Sequence, residues 1–252
     1  MNTFLLLDTE TTGNEAKDFL VQVAYVKKHD PEAPIKIGDI SQGFYKPPVP
    51  ISIESMAVHH ITEKMVTDKP EFKWSGEHAE IKKLLADENT ILVAHNAKFD
   101  VAMLKKEGLS PERVICTLRV ARHLDPESKI PRYNLQYLRY YLGMELDAPA
   151  HDARGDVLVL SELFARLYKK VSDLEKYDDK KTIEEMIAIS ARPSLMQTIP
   201  FGKYSGSKTA DVAKNDRGYL EWLLKQKESN DTVDDEDWIY TLRYYLGKLP
   251  TS

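Results

Sequence analysis

A single cysteine, Cys116, leaves no intrachain disulfide possible in 252 residues. That excludes a disulfide-stapled secreted scaffold and suggests a reducing compartment, most simply the cytoplasm. No stretch approaches the ~20 consecutive apolar residues of a membrane-spanning helix, so no membrane partner is expected. The opening MNTFLLLDTE has no basic n-region, and an acid interrupts its apolar run, so it does not read as a signal peptide. Positive charge is scarce too. Lys and Arg total 35 against 40 Asp and Glu, a formal charge of -5. This excludes coating of nucleic acid by a bulk positive field but leaves local binding open. Acid is itself missing from Met186 to Ala210, where Arg192, Lys203 and Lys208 stand alone.

What is present suffices for a core. Hydrophobic residues make up 42% and charged residues 30%, as in one large domain or a domain with a smaller module. Short apolar runs predict strands at Phe4–Leu7, Phe19–Val26, Ile35–Tyr45, Thr90–Ala94 and Val114–Thr117. Helical spacing predicts one or two short helices within Ser52–Val66, then helices at Glu77–Ala86, Ala97–Lys106, Leu118–Leu124, Leu135–Leu142 and Ala153–Lys170. Adjacent strands followed by interleaved helices indicate an α/β layer fold with a mixed five-stranded sheet over residues 1–170. The polar, charged run at 171–181 reads as a linker. Residues 182–252 read as a small, mostly helical module with helices near Thr182–Ala191, Asp216–Lys227 and Asp234–Leu246.

Three segments carry the chemistry. In LLLDTETTG, Asp8 and Glu10 follow an apolar strand, and strand alternation points both to one face. Two such carboxylates repel unless a cation lies between them, and a divalent metal is the usual answer. An acidic strand end facing water has the same pattern, and Asp-x-Glu recurs at Asp30, Asp125, Asp173 and Asp234. In ILVAHNAKFDVAML, a strand breaks at His95-Asn96 into a helix carrying Asp100 on the face of Met103 and Leu104. A buried acid there needs a partner or a metal, while an acid in a first turn is also favoured by the helix dipole. In AHDARGDVLVL, Asp156 opens a long amphipathic helix that Asp152 caps, and His151 sits on the incoming loop. Four carboxylates from three elements, with a histidine able to accept a proton near neutral pH, meet the needs of two-metal phosphodiester hydrolysis. In such sites the ions lie ~4 Å apart.

Asp8-x-Glu10, Asn96-x-x-x-Asp100 and His151-x-x-x-x-Asp156 resemble the three motifs of the DEDDh 3′–5′ exonucleases of the RNase H-like superfamily. The tyrosine branch would carry Tyr at position 152, where Asp stands. The stretches at 50–70, 115–124 and 192–224 resemble the exodeoxyribonuclease X-like branch, so the likeness spans most of the chain. The resemblance implies two divalent ions, Mg²⁺ or Mn²⁺, held by Asp8, Glu10, Asp100 and Asp156, with His151 as general base. It implies a DNA 3′ end as partner, release of 5′-mononucleotides and work in DNA repair or mismatch processing. RNA 3′-end trimming and a non-catalytic end-binding or polymerase-binding module are the rival functions, and protein partners stay unassigned. By the same likeness the backbone at Thr11 and Thr12 would seat the terminal nucleotide, and His59 would contact the 3′ end. His59 and Thr62 could equally cap and pack their helices. Arg119 and Arg122 would meet phosphates, or be merely solvated. Lys203 and Tyr204 would grip a single strand, or Tyr204 would pack into a tight turn.

Overall fold

The fold is that of a computed structural model, which describes residues 1–15, 17–146, 152–229 and 235–249. Strand β1 (Thr3–Thr11) lies at the centre of a five-stranded sheet with β2 (Leu20–Lys28), β3 (Ser41–Phe44), β4 (Thr90–Ala94) and β5 (Val114–Cys116). Their order is β3-β2-β1-β4-β5. The hairpin-linked strands β1, β2 and β3 pair antiparallel, while β4 and β5 add in parallel on the other side. The sheet is therefore mixed, as the order of strands and helices in the sequence predicts.

Both faces of β1 are covered, which explains its near-continuous apolar run. Phe4 and Leu6 enter one core with Val157, Leu160 and Phe164, whereas Leu5 and Leu7 enter a second core with Ile81, Met103 and Leu104. The second core is built by α3 (Gly76–Leu85) and α4 (Ala97–Lys106), the first mainly by α7 (Ala153–Glu175). Two short helices, α1 (Ile53–His59) and α2 (Glu63–Val66), pack beside the β1–β2 turn, with Ile51, Ile61 and Val66 on Val21 and Ser52 N–H donating to the Thr12 carbonyl. Helices α5 (Thr117–His123) and α6 (Leu135–Tyr141) flank α7. The third predicted strand is shorter than its apolar pattern: Ile37–Asp39 forms a 3₁₀ turn, and only Ser41–Phe44 pairs.

The segment 171–181, expected as a linker, holds the last turn of α7, a left-handed Lys176 and the start of α8 (Asp179–Ser190). Val171 from α7 and Ile183, Met186 and Ile189 from α8 are buried in the same core as Phe4. A separate apolar cluster unites α9 (Thr209–Asn215), α10 (Arg217–Ser229) and α11 (Glu236–Tyr245) around Ile199, Leu220, Trp238 and Leu242. The break between cores thus falls after α8. Among the described residues no helix is long and apolar enough to cross a membrane.

Candidate active site

The parallel strands β1, β4 and β5 end on one side of the sheet, where ligands bind in open α/β folds. Asp8 and Glu10, on one face of β1, are half-buried at that edge. They share it with the α7 side of the sheet, and Asp156, in the first turn of α7 and only 8% exposed, joins them. One ligand atom from each of Asp8, Glu10 and Asp156 lies within 4.8 Å of the others. Asp100 approaches from the opposite face. It is buried, and its carboxylate accepts a 2.8 Å hydrogen bond from the hydroxyl of Thr9, the residue between the two strand acids.

The electrostatics are unfavourable. Burial first, then the negative charges of Asp156, Asp100 and Glu10, push Asp8 well above the ordinary carboxylate range. Burial, followed by Asp156, Asp100 and Asp152, raises Glu10 to about 8. The strongest charges acting on both are other carboxylates. A cluster of hard oxygen donors under mutual repulsion fits a divalent cation, since added positive charge relieves the cause of both shifts.

Several unforeseen residues hold this arrangement. The amide of Gln136 on α6 donates to Asp156 Oδ1, and Arg139 Nη1 lies 3.4 Å from Gln136 Oε1. Arg139 also donates to the carbonyl of Leu146. From β2, Gln22 donates to Asp152 Oδ1 at 2.8 Å and accepts from the backbone N–H of Ala153, fixing the start of α7. Asp152 caps that helix as predicted. His151 lies outside the described residues. His95 is a core histidine: Nε2 donates to the Tyr133 carbonyl at 2.7 Å, Nδ1 lies 2.9 Å from Thr117 Oγ1, and burial lowers it to about 4.

Beside the acids opens a cleft of about 580 Å³ lined by Glu10, Thr11, Gly13, Ser52, His59 and Phe99. Ile61 N–H donates to His59 Nδ1 at 2.9 Å, so Nε2 carries the proton and donates to the Thr11 carbonyl at 3.2 Å. His59 therefore braces the backbone next to the acids, and burial lowers its pKa. Thr12 donates to Asp18 Oδ1 at 2.8 Å, and Asp18 Oδ2 accepts from Glu15 N–H at 2.7 Å. A Cβ at position 13 would sit 2.4 Å from that carboxylate, so the turn after the threonines needs Gly13.

The other expected DNA contacts lie elsewhere, already partnered. Arg119 Nη2 bonds Glu236 at 2.5 Å and Asp237 at 2.9 Å, and Arg122 Nη1 bonds Asp237 at 2.6 Å. Lys203 lies 3.2 Å from Asp216, and Tyr204 donates to the same carboxylate at 2.7 Å with its ring edge-on to Tyr219. None of the four lines the cleft. The arginines are occupied because α11 brings carboxylates to α5 from over a hundred residues away, a pairing with no local signal in the sequence.

Residues 5–164 match the model of the exonuclease family, and residues 199–228 match that of the exodeoxyribonuclease X-like C-terminal region. The chain belongs to the exonuclease family, in its exodeoxyribonuclease X-like branch. Exodeoxyribonuclease 10 of Escherichia coli K12 is 34% identical over 241 residues, covering 96% of this chain and 97% of the relative. Among solved structures, exonuclease X in complex with 5′-overhanging duplex DNA aligns with a TM-score of 0.53 at 27% identity, over 74% of this chain and 99% of that one. A zinc-bound complex of E. coli ExoI with single-stranded DNA aligns with a TM-score of 0.59 at 22% identity, over 70% of this chain and 42% of that one, and speaks to the fold alone. The mixed sheet is thus the RNase H-like sheet of exonucleases, and its acidic cluster has the makeup of a divalent-metal site.

Proposed function

We propose that the chain is a divalent-metal-dependent 3′–5′ exodeoxyribonuclease that removes nucleotides from DNA 3′ ends and releases 5′-mononucleotides. One observation carries the reading: Asp8, Glu10 and Asp156 converge, repelling one another, at the mouth of a cleft. These three, with Asp100, would hold Mg²⁺ or Mn²⁺. When bound, such ions supply positive charge that neutralises the carboxylates and the phosphodiester oxygens and makes water a better nucleophile.

The chain's own groups do the rest. The Thr11–Thr12 backbone, held by His59 and Asp18, seats the terminal nucleotide. Gln136 fixes the rotamer of Asp156. His151 is the general base, taking the proton of the attacking water at an imidazole whose unperturbed pKa is near ~6.5. The catalytic domain runs from β1 through α8, and residues from about 192 onward form the C-terminal module, in keeping with their separate apolar clusters. Work in DNA repair and a cytoplasmic location complete the reading.

A matched pair of DNA and RNA oligonucleotides, each labelled at the 5′ end, tests it. Stepwise shortening of the DNA, stopped by EDTA and restored by Mg²⁺ or Mn²⁺, is the expected result. Faster shortening of the RNA would make the enzyme an exoribonuclease, and binding of ends without turnover would make it a non-catalytic module.

A further inference from the structure

The acid-free stretch of the sequence finds no use in the cleft, yet part of it walls a second cavity. Residues Pro193 to Thr198, an extended segment, face the loop between α5 and α6 across a space of about 550 Å³. Both walls are held in place. Ser194 N–H donates to Asp237 at 3.0 Å, Met196 N–H to Thr241 at 2.8 Å, and Thr209 donates to the Met196 carbonyl at 2.8 Å. Across the gap, Asp125 accepts from the N–H groups of Lys129 and Ile130 at 3.0 and 2.7 Å and from the Tyr133 hydroxyl at 2.8 Å.

The lining is selective. Arg119 and Arg122 reach the cavity, but Glu236 and Asp237 already neutralise them. Arg132 and Arg192 are exposed and line it from opposite walls; neither forms an ion pair among the described residues. The half-buried ring of Tyr133, with the Arg122 guanidinium 5.8 Å from its centroid, and the apolar side chains of Leu195 and Met196 complete the lining. Two acids also line it: Asp125, which its three donors help keep ionised, and Glu185. Two free cations around an aromatic and apolar floor suit a polyanion with flat bases better than a small anion or an acidic peptide. Two residues of its lining connect to the elements that carry the acids. The Tyr133 carbonyl accepts from His95, which leads into the Asp100 helix, and Asn134 caps the helix whose Gln136 donates to Asp156.

We propose that this cavity is a second DNA subsite, holding the single strand upstream of the 3′ end, with Arg132 and Arg192 on its phosphates and Tyr133 against a base. The proposal rests on the exonuclease reading for its direction along the strand, but its binding can be measured alone. Fluorescence anisotropy in EDTA, using a long labelled oligodeoxynucleotide, compares the full chain with its Arg132→Ala/Arg192→Ala variant. Affinity should fall about tenfold or more, and the slope of log affinity against log salt should shrink by about 0.7 for each lost phosphate contact. In the presence of Mg²⁺, KM for the long strand should rise to match while kcat and the KM for a trinucleotide hold steady. Equal binding by the two proteins, or parallel loss on long and short substrates, would overturn the subsite. So would competition by inorganic phosphate as effective as that by the oligonucleotide, which would leave a simple anion site. A wild-type protein that binds through these arginines yet never cleaves would overturn the exonuclease reading and leave the subsite standing.

Discussion

Two acidic clusters occupy opposite ends of the functional scale in this chain. At the end of β1, Asp8, Glu10 and Asp156 crowd together, and the charges acting most strongly on the strand pair are other carboxylates. At the start of α11, Glu236 and Asp237 meet Lys98, Arg119 and Arg122 within 2.5 to 3.3 Å. The titration directions are opposite. Burial lifts Asp8 and Glu10, and neighbouring acids lift them further. Burial also works to raise Glu236, but the hydrogen bond from Arg119 and the charges of Lys98 and Arg119 outweigh it and hold the group below its ordinary value. The same residue types therefore do different work. Acids facing cations fasten the C-terminal helices to the catalytic core, whereas acids crowded against one another are a local instability that a cation can relieve.

The sharpest way to break that contrast is Asp8→Asn. Activity should fall by about 10⁴-fold or more, as expected when one member of a catalytic unit is lost. In chelator the variant should melt higher than wild type, by about 2–4 °C for each kcal/mol of repulsion relieved. Retained activity would show that Asp8 holds no catalytic metal, and a lower melting temperature that the carboxylates do not destabilise one another. The converse change is Asp237→Ala. It strips the shared partner from two guanidiniums whose side chains are only 11% and 19% exposed. Leaving buried charge uncompensated costs about 3 kcal/mol, so the variant should melt several degrees lower. Its kcat on a trinucleotide should be unchanged below the transition.

A pH series on the metal-free protein sharpens the comparison further. Glu10 titrates near 8 in the folded chain against 4.5 when unperturbed, so between these values the native state holds the extra proton. Stability from this group is full below about 4.5 and is lost as pH rises through about 8. Glu236 has the opposite sign: its contribution is present above its ordinary value and lost as pH falls. Thermal melts in EDTA should therefore decline from mildly acid to mildly alkaline pH. Mg²⁺ should restore much more at pH 8 than at pH 5, because protons compete for the same oxygens at low pH. A flat profile, or equal rescue at both values, would remove the repulsion from the account.

How far the sequence reaches follows the range of each interaction. Period-two alternation puts Asp8 and Glu10 on one face of β1, and the helical period sets Asp100 among Met103 and Leu104. Both are local rules and both hold in the structure. The break at His95-Asn96 is legible too, but not its form: Asn96 adopts a left-handed backbone, with φ of 65°, and makes no side-chain cap bond to α4. The amphipathic face of α8 was visible as a face but not as a partner of β5 and α7, so the polar stretch before it looked like a linker. Thr9 and Gln136 carry no motif of their own. Thr9 could have been suspected because it stands between two acids, whereas Gln136 lies 20 residues from Asp156 and only the packing of α6 on α7 joins them. The clamp on Arg119 spans 117 and 118 residues, beyond anything periodicity can report.

The smallest expected effect separates the two places where a single strand could be held. Lys203 is 67% exposed and pairs at 3.2 Å with Asp216, which Tyr204 also engages. An exposed pair of this kind contributes little to stability, so Lys203→Ala should shift the melting temperature by at most about 1 °C. Its ammonium is also partly neutralised before any phosphate arrives. Affinity for a long oligodeoxynucleotide should accordingly change by no more than about twofold, against about tenfold for Arg132→Ala/Arg192→Ala. The comparison uses one assay and one salt concentration, and its direction matters more than its size. A larger loss at Lys203 than at the two arginines would move the strand from the cavity to the Gly202–Tyr204 turn. It would also show that Asp216 releases the lysine when DNA binds.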